Sequence, residues 1–359
     1  MTSTRSIPIN LVFPPINAVQ PARDALSLPK ADFRYLTVVT TEVCNLDCWM
    51  CDFAVSKKLT KTLPMSPQEL LAFIRHPAFA SLQVLTLTGG EPFAYPYIET
   101  LCALIRQEMP QVRINFSTNC TLLDRMQKVL DGIDDLRQIR FLVSIDGINK
   151  HDEQRGTKGT LQKTLSNLDV LRRRYEGLQV VIKYTITPMN HDDILPTWNS
   201  LTDMGLDVTY KLMEHNKFYN NKLDEAVPDS FLFTTEQSTT AARQLQAVLD
   251  HSAIKRSTRK GEIREALESL SSAGWVRPDK CLTPRWSAFL DCDLNFFTCK
   301  EYAPIGNLKS STLDELLQST GYAHVCRVEN KNLEKCTSCT SQMKIRIPKW
   351  YALLPSFAA

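Results

Sequence analysis

Three cysteines crowded into eight residues are the feature of this chain that most directly suggests chemistry. They are Cys44, Cys48 and Cys51, and the surrounding stretch TTEVCNLDCWMCDF contains no histidine. A structural zinc site needs four ligands, and the nearby Asp47 and Asp52 are poor substitutes for a fourth thiolate. Three thiolates can instead hold a [4Fe–4S] cluster and leave one iron open for a non-protein ligand. The spacing therefore favours an iron–sulfur cluster over zinc.

A second group of cysteines lies toward the C-terminus, between residues 281 and 339. Four of its members can supply enough thiolates to close another [4Fe–4S] cluster completely: Cys281, Cys299, Cys336 and Cys339. A zinc ribbon would use the same ligands. Cys292 and Cys326 stay unassigned, because either could replace one of the four ligands, or the two together could bind something further.

The segments that position these cysteines alternate between apolar, β-rich runs and amphipathic helical stretches. A helix start is indicated at Ser66, where a serine N-cap is followed by Pro67 and Glu69. The alternation is typical of repeated βα units around a parallel sheet, either a βα barrel or an open α/β sheet. Strands are expected near 36–40, 82–88, 112–117, 139–145, 179–186 and 207–212. In both folds the chemistry lies at the carboxyl ends of the strands.

Small polar motifs follow these strands. TGGEP follows the second strand, FSTN the third and VSIDG the fourth. Glycines remove side-chain bulk and allow unusual backbone angles, and a carboxylate pairs with a cation. The stretch GINKHDEQRGTKGTLQKTLSNL, residues 147–168, contains Arg155. Taken singly, each motif is also compatible with a tight turn or a helix cap, and Arg155 with a surface ion pair.

With these motifs in this order, residues 36 to 340 resemble the radical SAM superfamily. The resemblance implies an α/β fold, a partial (β/α)6 TIM-like barrel, in which Cys44, Cys48 and Cys51 hold a [4Fe–4S] cluster and S-adenosylmethionine occupies its open iron. It implies that Glu91 accepts from the ammonium group of S-adenosylmethionine. Further contacts to this cofactor are implied for Met50, Gly89, Gly90, Pro92, Ser117, Asn119, Ser144, Asp146 and Arg155. Met50 stands where such enzymes often have an aromatic residue near the adenine.

The segment DCDLNFFTCKEYAPIGNLKSSTLDELL, residues 291–317, looks like the core of the twitch or SPASM extension of radical SAM enzymes. Leu294 occupies a position that is usually glycine in that module, so a differently shaped hairpin is expected. Residues 340–359 contain no cysteine, which favours the shorter twitch module. The resemblance thus implies a small cysteine-rich domain with one auxiliary [4Fe–4S] cluster.

Cysteine placement and local composition suggest how the chain is divided. The predicted segments are an irregular lead-in (1–35), the barrel (36–230), a solvated helical linker (231–275), the twitch/SPASM-like domain (276–345) and a tail (346–359). The chain has 359 residues, a formal net charge of +3 and 43% hydrophobic residues, so nothing in its charge favours nucleic acid. No signal peptide and no membrane span are expected, and the predicted location is the cytoplasm.

The resemblance implies a reaction in which a 5′-deoxyadenosyl radical abstracts a hydrogen atom from a substrate C–H bond. We expect oxidation or epimerisation of a small sugar, aminocyclitol or polyol, with a flavodoxin- or ferredoxin-type electron donor. The alternatives are a maturase that modifies a ribosomally made peptide and a non-catalytic iron–sulfur or zinc protein. Oxidation needs a base, and epimerisation needs a thiol that donates hydrogen. The base candidates are Lys183, Tyr210, Lys211 and Glu214, and the thiol candidate is Cys120.

Overall fold

The structure is a computed structural model that describes residues 30–51, 65–213, 229–251, 260–270 and 281–326. One nine-stranded sheet organises these segments, in the order β6-β5-β4-β3-β2-β1-β7-β8-β9. The strands are β1 (Tyr35–Thr41), β2 (Val84–Gly89), β3 (Arg113–Thr118), β4 (Ile139–Ser144), β5 (Gln179–Ile186), β6 (Val208–Leu212), β7 (Ser287–Leu290), β8 (Asn295–Phe297) and β9 (Gly306–Asn307).

Strands β1 to β7 pair in parallel, and β8 and β9 extend the β7 edge in antiparallel fashion. Each of the six expected strand ranges overlaps one of β1 to β6. Since β6 and β9 lie at opposite ends of the strand order, the sheet is open. The predicted α/β fold with a partial TIM-like barrel is therefore confirmed.

Helices follow the strands along the chain. They are α1 (Pro67–Ile74), α2 (Ile98–Glu108), α3 (Leu123–Asp131), α4 (His151–Arg155), α5 (Thr160–Arg174), α6 (Ile194–Asp203), α7 (Thr235–Asp250), α8 (Lys260–Leu270), α9 (Thr283–Trp286), α10 (Leu313–Leu317) and α11 (Thr320–Cys326). At the start of α1 the Ser66 hydroxyl accepts from the Glu69 N–H (3.2 Å), and the Glu69 carboxylate accepts from the Ser66 N–H (2.7 Å). This is the capping box that the sequence predicts at that position.

Alternating side chains give each strand two different faces. In β3 the apolar Ile114 and Phe116 are fully buried. The residues that alternate with them, Arg113, Asn115 and Ser117, are only partly buried. β4 alternates in the same way. The apolar face joins the main hydrophobic core, and the polar face lines the lumen of the partial barrel. The fold thus surrounds a polar lumen with an apolar outer layer.

Helices α7 and α8 correct the expectation of a solvated connecting helix between 231 and 275. Ala241, Leu245 and Val248 of α7 and Ile263 and Ala266 of α8 are buried in the main core. α7 packs against α6, and α8 packs against β6 and α7. Their apolar residues recur at helical spacing and cover the outer face of the last parallel strand. These two helices are therefore a packed layer of the barrel, while the predicted domain boundaries stay a prediction.

The hairpin that joins β7 to β8 contains the unusual Leu294. Its φ is 70°, in the left-handed region that glycine enters most easily. The Asp291 carboxylate supports the turn by accepting from the N–H groups of Asp293 (3.0 Å) and Asn295 (2.9 Å). Leu294 therefore adopts a backbone conformation that is more typical of glycine. Within the described residues, no helix is long and apolar enough to cross a membrane.

Candidate functional site

A cavity of about 650 Å³ occupies the lumen of the partial barrel. Its upper end, where the parallel strands terminate, is lined by Cys44, Cys48 and Cys51. The cysteine loop begins directly after β1, so the strand delivers all three side chains to the same end of the sheet. The Leu46 N–H points at the Cys44 sulfur (3.4 Å), and the Cys51 N–H donates to the Cys48 carbonyl (3.1 Å).

Two glycines of the TGGEP motif pack directly on the backbone that leads into the cysteine loop. A Cβ on Gly89 would lie 2.2 Å from the Thr41 carbonyl oxygen, and one on Gly90 would lie 2.3 Å from the Val43 oxygen. Gly89 also has a φ of +132°, which side chains rarely allow. The Gly90 N–H donates to the Thr41 carbonyl (2.8 Å), and the Glu91 N–H donates to the Val43 carbonyl (2.9 Å). The glycines are required because two backbones meet here, and both also line the cavity.

Asn119 connects the end of β3 to the cysteine loop. Its side-chain amide donates to Asn45 (3.0 Å) and lies 3.9 Å from the Cys44 sulfur. Thr121 completes the network, because its hydroxyl donates to the Asn119 oxygen (2.7 Å) and accepts from the Asn45 amide (2.7 Å). These bonds hold the loop at a defined distance from β3.

Glu91 lies beneath the cavity and does not line it. Its carboxylate, 1% exposed, accepts from the Thr118 hydroxyl (2.7 Å), the Asn119 N–H (2.8 Å) and the Phe93 N–H (3.2 Å). Burial raises the pKa of Glu91 to about 7, against the opposing effect of these donors and of the Arg155 charge. The side chain therefore ties β2 to β3, and Pro92 is buried beside it.

Arg155 joins the α4 segment to the cluster loop. Its guanidinium pairs with the fully buried Asp146 carboxylate and reaches the Cys48 sulfur (3.7 Å). Burial lowers the pKa of Arg155, but the Asp146 carboxylate and Cys48 outweigh that effect and raise it overall. The next residue, Gly156 (φ +71°), packs so closely that a Cβ would lie 2.3 Å from the Asp47 carbonyl oxygen. Arg155 therefore supplies positive charge beside the cysteine loop.

The donor set fits a [4Fe–4S] cluster with one open iron. Three soft thiols line one cavity, and N–H donors approach the sulfurs of Cys44 and Cys48, as they do around bound clusters. A single metal ion would need ligands within mutual reach. Among the described residues, the group whose ligand atoms all lie within 4.8 Å is instead Glu42, Cys292 and Asp293. The three sulfurs are therefore spread more widely than the ligands of one zinc ion.

The structure brings most of the expected S-adenosylmethionine-contacting and base residues together around the cavity. Those that line it are Met50, Gly89, Gly90, Ser117, Asn119, Ser144, Arg155, Lys183 and Lys211. Asp146 lies behind Arg155. Three further expected residues, Glu214, Cys336 and Cys339, lie outside the described residues.

The structure does not bring Cys120 and Tyr210 to the cavity. Cys120 is fully buried in the main core, with a φ of 60° and with its carbonyl bonded by the Asn167 amide (2.8 Å). Burial raises the pKa of its thiol. Tyr210 packs against Tyr184 on the outer face of the sheet, at a centroid distance of 5.6 Å. In β6 it alternates with Lys211, so the neighbouring lysine faces the lumen instead.

The C-terminal cysteines divide into two kinds in the described segment. Cys281 and Cys299 are half-buried. Cys292 is buried with Val39, Phe289 and Phe297, a small apolar cluster that also contacts Cys51. Cys326, at the end of α11, is buried in the main core. The auxiliary cluster stays a prediction.

Sequence reasoning missed several lumen residues, chief among them Arg113 and Arg140. Each stands at an alternate position of a strand whose neighbouring residues are apolar, in RINFST and IRFLVS. A charged residue at a position that alternates with buried ones was the available signal.

Several known proteins resemble this chain in sequence. Residues 38–199 match the radical SAM superfamily. The AdoMet-dependent heme synthase of Methanosarcina barkeri (strain Fusaro / DSM 804) is 29% identical over 170 residues, 46% of each chain. The GTP 3',8-cyclase of Aliarcobacter butzleri (strain RM4018) is 27% identical over 182 residues, 49% of this chain and 54% of the relative. The matches span about half the length of these relatives.

Solved structures share the fold over most of this chain. Streptococcus suis SuiB bound to S-adenosylmethionine superposes with a TM-score of 0.60 at 12% identity, covering 86% of this chain and 72% of SuiB. The anSMEcpe structure with bound AdoMet has a TM-score of 0.60 at 14% identity, and 85% of each chain is covered. At these identities the likeness concerns the fold alone.

Proposed function

The chain is a member of the radical SAM superfamily, and from this premise we propose that it abstracts a hydrogen atom from a small molecule held in the barrel lumen. The observation that carries the proposal is a single cavity lined at one end by Cys44, Cys48 and Cys51 and along its length by polar side chains. When bound, the [4Fe–4S] cluster supplies the electron that splits S-adenosylmethionine into methionine and a 5′-deoxyadenosyl radical.

The residues of this chain would bind, orient and shield the reactants. Gly89 and Gly90 form a shelf beside the cysteine loop on which the methionine end of S-adenosylmethionine can lie. Ser117 and Ser144 lie on the lumen-facing sides of β3 and β4 and can position the ribose of S-adenosylmethionine. The surrounding strands would limit the access of water to the bound reactants and hold the substrate carbon in near-attack contact with the radical.

We propose that the outcome is dehydrogenation of a sugar, aminocyclitol or polyol. Loss of a hydrogen atom must then be followed by loss of a proton and of one electron. Lys183 and Lys211 face the lumen where they can take up the proton, and the electron would pass to the second cluster proposed below. Epimerisation through Cys120 is disfavoured, because its thiol lies in the outer core. The described cavity-lining residues include no cysteine besides the three of the cluster loop.

We also propose a second [4Fe–4S] cluster in the C-terminal segment, with the ligands Cys281, Cys299, Cys336 and Cys339. When bound, it supplies a one-electron acceptor. A double variant, Cys336→Ala with Cys339→Ala, is expected to halve the iron from about eight to about four per chain. Loss of all iron would argue against two separate clusters.

The same chemistry requires an electron donor and a reducing compartment. An electron donor of the flavodoxin or ferredoxin type would reduce the cluster, and a reducing compartment such as the cytoplasm would keep the thiols available. Modification of a ribosomal peptide remains the second candidate. It is supported by the fold of Streptococcus suis SuiB bound to its precursor peptide SuiA, with a TM-score of 0.61 at 12% identity. A non-catalytic iron–sulfur or zinc protein is the third.

The proposal is tested by hydrogen transfer. Metabolites that accumulate in the source organism when the gene is deleted would be prepared with deuterium at candidate carbons and incubated with the reduced enzyme. Deuterium is expected in 5′-deoxyadenosine, and Lys183→Met or Lys211→Met should lower product formation. Deuterium transfer from a peptide and from no small molecule would contradict the small-molecule proposal.

A further inference from the structure

The lumen carries a concentration of positive charge that S-adenosylmethionine binding does not explain. Six cationic side chains line the cavity: Arg113, Arg140, Arg155, Lys183, Lys211 and Lys300. The same set of described lining residues contains no aspartate or glutamate. Arg155 is paired with the buried Asp146, and the other five cations stand elsewhere around the lumen.

Strand register separates these cations into two levels. Arg113 is the first residue of β3, and Arg140 lies opposite Asn115 near the start of β4. Both therefore stand at the floor of the lumen, away from the cysteine loop. Lys183 lies opposite Ser144, and Lys211 lies opposite Thr185, toward the carboxyl ends of their strands.

The floor residues include buried polar atoms with no protein partner in the described part of the chain. The Arg113 Nε and the Asn115 Oδ1 are both buried without a hydrogen bond. Arg140 is braced by the neutral Gln179 side chain, whose oxygen accepts from its Nε (3.0 Å) and from one terminal nitrogen (2.6 Å). These two bonds hold the Arg140 guanidinium in a fixed orientation at the floor of the lumen.

A buried N–H without an acceptor is costly, and the Nε of the half-buried Arg113 is such a group. Arginine stays protonated at every physiological pH and presents a planar fork that matches phosphate and carboxylate oxygens. Lys183 and Lys211 stand nearer the cluster loop, where the proton exchange is proposed. A ligand anion at the floor would supply the counter-charge that the described protein residues do not provide for Arg113.

We propose that the substrate is an anionic small molecule whose phosphate or carboxylate group is bound by Arg113 and Arg140 at the floor of the lumen. This inference rests on the proposed function and narrows its substrate class. Ser144 lies four positions after Arg140 along β4, a rise of about 13 Å. An anionic sugar anchored at the floor therefore directs its far carbons toward the cluster end.

The test measures binding to the full-length holoenzyme, reconstituted anaerobically and saturated with S-adenosylmethionine. Equilibrium dialysis would compare radiolabelled glucose 6-phosphate, glucuronate and glucose as probes. The charged sugars are expected to bind at least tenfold more tightly than glucose, and the tighter of the two identifies phosphate or carboxylate as the anionic group. Equal binding of charged and neutral probes, including no binding of either, would overturn the inference.

Matched variants locate the binding group. The double variant Arg113→Gln with Arg140→Gln should weaken binding of the charged probes at least tenfold and leave glucose unaffected. Arg113→Lys, which keeps the charge but loses the planar fork, should weaken binding less than Arg113→Gln does. The exposed Arg137, whose partner is Asp135, provides the control Arg137→Gln, which should bind as the wild type does. Melting temperature and iron content check that each variant is folded. Unchanged affinity in the double variant would refute the assignment.

Wild-type cleavage of S-adenosylmethionine is followed in the same samples. Formation of 5′-deoxyadenosine without preference for charged probes would leave the proposed function standing and remove this inference. Preference for charged probes without any cleavage would support the anion site and contradict the proposed function.

Discussion

Substitution of Gly90 by alanine offers a sharp test of how the TGGEP turn positions the cluster loop. The added Cβ would lie 2.3 Å from the Val43 carbonyl oxygen and 2.6 Å from the Glu42 oxygen. Both neighbours are backbone atoms, so no side chain can rotate away. Because ordinary contact begins near 3.4 Å, the two segments must separate by about 1 Å.

That displacement falls next to Cys44, the residue after Val43. It would also lengthen the hydrogen bonds from the Gly90 N–H to Thr41 and from the Glu91 N–H to Val43. Overpacking of this kind costs about 1–3 kcal/mol of folding stability. A misplacement of about 1 Å near reacting groups lowers the rate about 100-fold. Gly90→Ala should therefore fold less stably and lose most of its cleavage activity.

The assay is iron content and 5′-deoxyadenosine formation after anaerobic reconstitution, with thermal melting alongside. Gly132→Ala is the matched control, because a Cβ there meets its nearest atom at an ordinary 3.6 Å. The control should retain wild-type iron and activity. If Gly90→Ala kept both within twofold of the wild type, the close backbone approach would not be what positions the loop.

Three further predictions concern the residues around the loop. Asn119→Ala leaves the partners of its side chain, Asn45 among them, without their bonds, so it should lower stability by about 1–3 kcal/mol and reduce iron retention, as measured by melting and iron analysis. Arg155→Met leaves Asp146 buried and unpaired and should cost about 3–5 kcal/mol, which Arg155→Met with Asp146→Asn should partly restore; additive losses in a double-mutant cycle would contradict the pairing. Because burial raises the pKa of Glu91 to about 7, its proton stabilises the fold fully below pH 4.5, and this stabilisation is lost as pH rises to about 7. Glu91→Gln should therefore gain up to about 3 kcal/mol relative to the wild type over that range in urea titrations; parallel pH profiles would refute the shift.

The parts of the fold that the sequence predicted are those governed by local rules. The six parallel strands follow from apolar runs between helical stretches, and the start of α1 follows from Ser66 and Glu69. The cysteine loop was found because its spacing limits the metal centres that it can hold. These signals depend on neighbours in the chain and need no knowledge of tertiary packing.

Other features depend on which side of an element faces the lumen. Tyr210 and Lys211 are adjacent in β6, and a shift of one residue in the assumed alternation exchanges their faces. Cys120 follows the strand end, but its left-handed backbone turns the thiol into the core. The packing of α7 against α6 joins segments far apart in the sequence, so composition alone suggested a solvated helix.

The central claim is that Cys44, Cys48 and Cys51 hold a cluster that cleaves S-adenosylmethionine. The most direct measurement is 5′-deoxyadenosine production by the anaerobically reconstituted chain after reduction with dithionite, beside its metal content. We predict iron in the wild type and cleavage on reduction, with cleavage abolished when the three cysteines are replaced by alanine. A folded wild-type chain that binds zinc in place of iron and forms no 5′-deoxyadenosine would contradict the account.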